Sequence, residues 1–354
     1  MARITYTITC AIAGLLACVN AQCLNRVAQF QDANTRSSTG NNSMSKSCLG
    51  MATYVKLTFL LAWLVVPVPK TAVLQALRES FPLFYNSLKL LDPPAELKIP
   101  ATMHPVLAVN GYMADIRQSV LQLNADLESS STQIPYVGIN GSPTPFNAPL
   151  GTYLVGTGAN ADTVNKYLYS LVPALVASLL GGIPTKLGDY LPNDAAYKYE
   201  TTQSDGRPVY ASNSKWAQVP NFVSGPGVYV ESVDMRFSTE PAPKYTEKQM
   251  RAMINQPLIV NVPLSTPLAL RCQRNTYFFN NDTAQVMFRS GNVTFGPAAT
   301  PNTLAQTFVK AANDGAGGYN GVQGISGCAQ VVGYNTLNGE DCEKAAMNVD
   351  KTAL

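Results

Sequence analysis

The sequence predicts an α+β fold, with a helix-rich N-terminal half and a mainly antiparallel β-sheet in the C-terminal half. In the first half, apolar residues recur at helical spacing within 71–91 and within 112–127. After residue 228, short apolar runs show the alternation of half-buried strands. Helices followed by strands are typical of α+β rather than α/β proteins. Hydrophobic residues make up 46% of the 354 residues and charged residues 13%, which is enough apolar surface for a buried core.

The N-terminal region indicates export. Arg3, an apolar stretch and small residues ending at Ala21 make 1–21 a cleavable secretory signal. We therefore expect a secreted protein, either extracellular or on the cell surface. Two alternatives are a lipid-modified Cys18 and a buried N-terminal helix or strand. Residues 22–50 are polar and aperiodic, which predicts a flexible tether.

Residues 51–100 are predicted to be an apolar helical segment. Its first part, Leu57–Pro69, carries no charge and is shorter than the about 20 residues that a bilayer crossing requires. Three interpretations stay open: a buried core helix, an interfacial or anchoring segment, and a second targeting signal that begins at Met51. The periodicity of 71–91 predicts a following helix with a break at Pro82.

Residues 101–354 are predicted to form the main α+β domain. Tyr112–Leu127 has the clearest amphipathic helical pattern, and 162–180 is a very apolar helical stretch. Thr246 and the three residues after it form a capping box, which predicts the start of another helix. A last helix is predicted with Pro301 in its first turn.

The strands of this domain are predicted from short runs rich in β-branched and aromatic residues. Residues 185–226, with their glycines and prolines, are predicted to be mostly loops. The predicted strands are Thr152–Val155, Val228–Phe237, Leu258–Leu264, Leu268–Cys272, Gln285–Phe288 and Asn292–Phe295.

Cysteine pairing is expected, because exported proteins fold in oxidising compartments. The mature chain keeps five of the seven cysteines, so at least one lacks an intrachain partner. Turn residues between Cys328 and Cys342 would fold that stretch back on itself, which predicts a disulfide between them. Cys23 and Cys48 bracket the tether and form a second candidate pair. Cys272 is expected to be a buried thiol, and its pairing with Cys328 or Cys342 is the competing arrangement.

One nucleotide-binding motif occurs, but its surroundings argue against it. Gly156, Gly158 and Ala161 satisfy G-x-G-x-x-A between a strand and a helix, as a dinucleotide-binding fold requires. The strand is short and follows a proline-rich loop, and the nearest acidic residue at a suitable spacing is Asp189. We therefore expect an ordinary turn here and no cofactor.

Residue types that support catalysis or metal binding are sparse. His104 is the only histidine and precedes a proline, so a loop position is expected for it rather than a catalytic role. The chain has no C-x-x-C pair, so no metal site is expected. Glu231 and Asp234 are three apart on a predicted strand and would lie on opposite faces. Asp205 is expected in a turn. The sequence therefore assigns no catalytic residue.

The charge balance argues against a polyanionic partner. A net charge of +3 is too small to predict binding to nucleic acid. N-glycosylation sequons begin at Asn41, Asn140, Asn281 and Asn292. We expect other extracellular or surface proteins as partners, self-assembly included, and membrane contact is allowed by the apolar segments.

These observations lead to one main functional interpretation and two alternatives. The main interpretation is a secreted, non-enzymatic structural, surface-assembly or binding protein, based on the low charge and the lack of a nucleophile motif. The first alternative is a membrane-active protein of the fusion or pore-forming type, which would insert residues 57–69 and 168–184. The second alternative is a secreted, carboxylate-dependent hydrolase, because paired acids need no local motif.

Overall fold

The computed structural model shows a protein built mainly from β-strands. The predicted signal, the tether and the apolar stretch at 162–180 lie outside the described residues. Within the described ranges the chain forms fourteen strands and four α-helices. The structure describes residues 54–118, 121–123, 127–156, 189–190, 197–218, 229–261, 270–279, 286–296, 304–334 and 339–354.

The elements are numbered in chain order. The strands are β1 (Tyr54–Pro69), β2 (Leu88–Leu90), β3 (Met103–Gln118), β4 (Leu121–Leu123), β5 (Leu127–Ile139), β6 (Phe146–Gly156), β7 (Asp189–Tyr190), β8 (Lys198–Thr202), β9 (Pro208–Gln218), β10 (Tyr229–Thr239), β11 (Leu258–Asn261), β12 (Leu270–Phe278), β13 (Met287–Gly296) and β14 (Gly318–Tyr334). The helices are α1 (Lys70–Ser80), α2 (Glu247–Ile254), α3 (Leu304–Ala311) and α4 (Cys342–Met347).

Seven of the strands form a closed ring. Their order is β1–β3–β5–β6–β11–β12–β14, and β14 pairs back onto β1. The neighbours in the ring are antiparallel, except that β6 and β11 are parallel where Asn147 pairs with Leu258. Ring closure gives each of these strands a partner on both sides, although β6 and β11 are joined at a single residue pair.

Strand β14 connects the ring to a second group of strands. One edge of β14 pairs with β1 from Tyr334 to Gln323. Its other edge is divided, because residues 330–334 pair with β12 and residues 318–326 pair with β13. From β13 the sheet continues through β10 to β9, and β9 pairs with both β7 and β8. We call β13, β10, β9, β8 and β7 the wing.

The described side chains in the middle of β1 and in the first half of β3 are buried on both faces. Along β1, Ala62, Leu64 and Val66 pack into one apolar cluster with side chains of the wing and of helices α1 and α3. The intervening residues, among them Trp63, pack into a second cluster that helix α2 covers. Burial of both faces requires a continuous apolar run, which β1 provides.

A buried polar network joins the ring to the wing. Asn110 on β3 donates from Nδ2 to Ser212 Oγ at 2.9 Å and to the carbonyl oxygen of Val233 at 3.0 Å. Its Oδ1 atom accepts from Ser130 Oγ at 2.7 Å, and Ser214 Oγ donates to the same Val233 carbonyl at 2.6 Å. These hydrogen bonds satisfy the buried amide, so the network fixes how the wing lies on the ring.

The predicted helix-rich N-terminal half is wrong. Leu57–Pro69 lies in strand β1, and Tyr112–Leu127 spans the end of β3, all of β4 and the first residue of β5. A short apolar run fits a doubly buried strand as well as a buried helix, and β1 is rich in β-branched residues. The apolar spacing of 112–127 predicted a helix, but β3 pairs with β1 and β5 and this region is extended.

The C-terminal predictions were more accurate. Helix α2 follows Thr246, and both hydrogen bonds of the capping box are formed. Helix α1 ends at Ser80, two residues before the predicted break at Pro82. Two predictions were wrong: the two strands predicted within 285–295 are one strand, β13, and the region predicted as loops at 185–226 contains β7, β8 and β9.

The disulfide joins Cys272 to Cys342, which is the competing arrangement, and the predicted Cys328–Cys342 bridge is wrong. Cys342 is bonded to Cys272, with a Cα–Cα distance of 4.7 Å, and Cys328 is buried on β14. Residues 328–334 continue a long strand instead of folding back, so Cys328 is carried away from Cys342. The bridge fixes helix α4 to strand β12, where Glu340 also forms a β-bridge with Cys272. Cys23 and Cys48 lie outside the described residues.

Removal of the bridge should destabilise the fold. The two cysteines are 70 residues apart, and closing a loop of that length is worth about 4 kcal/mol on the chain-entropy model. We expect the double variant Cys272→Ala/Cys342→Ala to lower the free energy of unfolding by about that amount in urea titrations. The matched control is Cys328→Ala, which leaves the bridge intact. A Cys328–Cys342 linked peptide in a non-reducing digest would contradict the assignment.

His104 is buried in strand β3 and does not lie in a loop as predicted. Its Nε2 atom lies 2.7 Å from the carbonyl oxygen of Pro135, and it pairs in register with Val68 of β1. Burial lowers the pKa of His104 from 6.5 to about 4; the hydrogen bond to Pro135 opposes this shift and the charge of Lys70 adds to it. The imidazole is therefore neutral at pH 7 and donates to Pro135.

This buried histidine should make stability depend on pH. As the pH falls, the imidazole takes up a proton near pH 6.5 in the unfolded chain but only near pH 4 in the folded chain. Protonation therefore favours the unfolded chain, and the fold has its full stability above pH 6.5 and loses stability as the pH falls towards 4. The loss is about 3 kcal/mol. We expect His104→Gln, which keeps a donor for Pro135 but does not titrate, to show a flatter pH dependence of unfolding. Equal slopes for both proteins over this interval would contradict the prediction.

Candidate functional site

A surface groove of about 480 Å³ lies on the wing, where β13 pairs with β14. It is bounded by the turn between β8 and β9, by the C-terminal end of β10, by the middle of β13 and by the first residues of β14. Polar and charged side chains contribute much of its lining, among them Gln203, Arg207, Arg236, Glu240, Asn292 and Gln323.

Two glycines line the groove at an irregular strand pairing. Gly291 on β13 pairs with Val322 on β14, and the register between the two strands shifts immediately afterwards. A Cβ atom on Gly291 would lie 2.0 Å from the carbonyl oxygen of Arg236, so no other residue fits there without a backbone shift. Gly321 has a φ of +66°, which favours glycine. Bulges of this kind bend strands and redirect side chains.

Glu240 enters the groove directly after strand β10. Its backbone N–H donates to the carbonyl oxygen of Phe288 at 2.9 Å, which extends the β10–β13 pairing by one hydrogen bond. Its Oε1 accepts from the N–H of Ala242 at 2.8 Å, and its Oε2 accepts from Gln323 Nε2 at 3.3 Å. The Oε1 atom of Gln323 accepts in turn from the backbone N–H of Lys244 at 2.6 Å. The carboxylate is therefore fixed at both oxygens.

Arg207 is a rigid guanidinium on the same groove. Its Nε and Nη2 atoms donate to Asp205 Oδ2 at 2.7 and 2.6 Å, and Nη1 donates to the carbonyl oxygen of Thr239 at 2.8 Å. The hydrogen bond to Asp205 raises the pKa of Arg207, and the nearby charge of Glu240 adds to the shift. Asp205 also accepts from the backbone N–H of Arg207, which confirms the turn predicted for it.

Arg236 is a second and less constrained guanidinium. It lies on β10 with its side chain 57% exposed, and its Nε donates to Glu200 Oε2 at 2.6 Å. Behind the groove wall, the buried Arg289 stacks against Tyr210 and Phe237 with its Cζ atom 5.1 and 5.8 Å from the ring centroids. The groove thus combines one oriented carboxylate with two guanidinium groups and several side-chain amides.

The residues that the sequence singled out for chemistry are mostly elsewhere. Of these, Asp205 lies at the groove, whereas His104 is in the core of the ring. Asp234 is half-buried on β10, and Glu231 lies three positions before it on the same strand. Across the described ranges, no group of three or more His, Cys, Asp or Glu side chains could hold a metal.

The other candidate positions are only partly described. Gly156 is the last residue of β6, and Asp189 begins the short strand β7, while Gly158 and Ala161 lie outside the described residues. The sequon residues Asn140 and Asn292 are exposed, the first in a turn and the second in the groove. Asn41 and Asn281 lie outside the described residues.

Sequence reasoning missed Glu240 and Arg236. Neither belongs to a motif, and their proximity depends on the pairing of β10 with β13 and of β13 with β14. One signal was available, since Ser-Thr-Glu-Pro follows the predicted strand 228–237 and places an acid at a strand end, where sites often form.

Comparison with known proteins gave structural similarity only. No family model and no curated protein matches the chain. One similar solved structure is the enduracididine biosynthesis enzyme MppR with the condensation product of pyruvate and imidazole 4-carboxaldehyde, at 10% identity and a TM-score of 0.41, covering 82% of this chain and 90% of that one. Another is an acetoacetate decarboxylase-like enzyme from Sphingomonas wittichii RW1, at 11% identity and a TM-score of 0.40, covering 84% of this chain and 96% of that one.

Both similar structures are of enzymes, which runs against the predicted non-enzymatic structural, surface-assembly or binding protein, and that prediction is not kept. Neither comparison shows a signal peptide or glycosylation. At this identity the two structures assign no substrate and no catalytic residue to the present chain. Export and an extracellular location stay predictions.

Proposed function

We propose that the chain is a carboxylate-dependent hydrolase that uses Glu240 as a general base and acts on an ester bond in the groove. The observation that carries the proposal is the position of Glu240, fixed by Ala242 and Gln323 beside the guanidinium of Arg207. Among the described residues of the lining, Glu240 is the only carboxylate; Asp205 and Glu200 lie next to the lining, and each is paired with an arginine, Arg207 and Arg236. A single base next to a cation fits acyl transfer to water better than glycoside hydrolysis, which needs two carboxyl groups.

Glu240 can act as a base while it keeps its hydrogen bonds. Each carboxylate oxygen has two lone-pair positions, and each oxygen of Glu240 accepts one hydrogen bond in the structure. The remaining positions are available to a water molecule in the groove. Fixing the carboxylate in advance lowers the entropy cost of reaching the reactive geometry.

The reaction would proceed by direct attack of water. Glu240 removes a proton from the water, whose oxygen forms a bond to the ester carbonyl carbon, and the carbonyl oxygen becomes negatively charged. Arg207 stabilises that oxyanion, because its guanidinium is already fixed by Asp205 and Thr239. When the intermediate collapses, the bond to the alcohol oxygen breaks and this oxygen takes the proton from Glu240.

The membrane-active alternative lost its main support. Residues 57–69 belong to strand β1, whose side chains from Leu61 to Val66 are buried in the core. Within the described ranges, none of the helices has both the length and the apolar character needed to span a bilayer. The other segment, 168–184, lies outside the described residues.

Replacing Glu240 should abolish hydrolysis without unfolding the protein. We expect Glu240→Gln to lower kcat/KM by at least about 100-fold on p-nitrophenyl esters, because removal of a general base typically costs this much. Glu96→Gln, an exposed acid outside the groove, is the matched control and should keep wild-type activity. The assay is release of p-nitrophenol from a panel of neutral and acidic acyl esters. Wild-type turnover in the Glu240→Gln variant, or no turnover of any ester by the wild type, would contradict the proposal.

A further inference from the structure

We infer that the groove selects substrates with a carboxylate on the acyl chain, and that Arg236 binds this carboxylate. The inference rests on the proposed hydrolase function and adds the substrate class to it. It depends on the different ways in which the two arginines of the groove are held.

Arg207 uses more of its N–H groups in hydrogen bonds within the protein than Arg236 does. Three of the nitrogen atoms of Arg207 donate to Asp205 and Thr239, so a substrate could engage it only with its remaining N–H bonds. Among the described residues, Arg236 donates from Nε to Glu200 and from no other atom. Both of its terminal nitrogen atoms therefore keep N–H groups for a second acceptor, in the parallel arrangement that a carboxylate accepts.

The ion pair between Arg236 and Glu200 is exchangeable. Both side chains are exposed to solvent, by 57% and 44%. A pair of this kind contributes little net stability, because water and salt screen it. A substrate carboxylate in the groove can therefore share or replace Glu200, which lies on strand β8.

The surroundings of Arg236 favour an anion on its groove side. Asn292 lies directly across from Arg236 in the β10–β13 pairing, is exposed and lines the groove. Its amide can donate to the same carboxylate. By strand alternation, Arg236 and Asn292 project on the same face of the sheet, the face that lines the groove. Glu240 and Arg207 lie at the same groove, where the ester carbon would be placed.

Two substitutions with opposite effects test this assignment. Arg236→Gln should raise KM for the p-nitrophenyl monoester of succinic acid by at least about tenfold, since a charge-assisted hydrogen bond is lost, and should lower the ratio of kcat/KM for this ester to kcat/KM for p-nitrophenyl acetate by a similar factor. Glu200→Gln should lower KM for the acidic ester, because it removes the competing carboxylate. Arg236→Lys should restore part of the affinity. Arg78→Gln, an exposed arginine on α1 outside the groove lining, is the matched control.

A binding measurement separates this inference from the hydrolase proposal. Succinate titrated into the Glu240→Gln variant should bind as it does to the wild type, and binding should weaken at least about tenfold in Arg236→Gln. If Glu240→Gln keeps its turnover while Arg236→Gln loses succinate, the general-base assignment fails and the anion site stands. Equal succinate affinity in the wild type and in Arg236→Gln, or no succinate binding to the wild type, overturns the inference.

Discussion

The pairing of β1 with β14 is the constraint on which the rest of the structure depends. It runs from Tyr54 opposite Tyr334 to Val65 opposite Gln323 and closes the ring. Because β1 is buried on both faces, its apolar run cannot serve as a helix or an anchor. Close contact is needed along the pair, and a Cβ atom on Gly324 would lie 1.9 Å from the carbonyl oxygen of Trp63. The outer edge of β14 is then free to divide between β12 and β13.

The division of the outer edge of β14 between β12 and β13 creates the groove. The wing begins where β13 pairs with the outer edge of β14, and the network around Asn110 fixes β9 and β10 against β3. The strands therefore have a defined position, and the groove lies on the face of β10 and β13 that carries Arg236 and Asn292. Glu240 and Arg236 belong to one strand and its first following residue, so a single rigid element carries both the proposed base and the proposed anion ligand. A site on such an element needs little reorganisation when substrate binds.

Local signals in the sequence were reliable and long-range ones were not. The capping box at Thr246 predicted helix α2 because all of its hydrogen bonds lie within one turn. By contrast, the helical spacing of 112–127 was overruled by strand pairing with the distant β1 and with the nearby β4 and β5. The Cys272–Cys342 bridge and the approach of Glu240 to Gln323 depend on other pairings, of β12 with Glu340 and of β10, β13 and β14 with one another. The groove therefore could not be derived from the sequence, although the turn at Asp205, one of its walls, was predicted correctly.

The most direct test of the account is a crystal structure of the Glu240→Gln variant with a phosphonate analogue of a succinic acid ester. The account predicts the analogue in the groove, with a phosphonyl oxygen at hydrogen-bond distance from Arg207 and the carboxylate held by the terminal nitrogen atoms of Arg236. An analogue bound inside the ring, or one in the groove that contacts neither arginine, would contradict it.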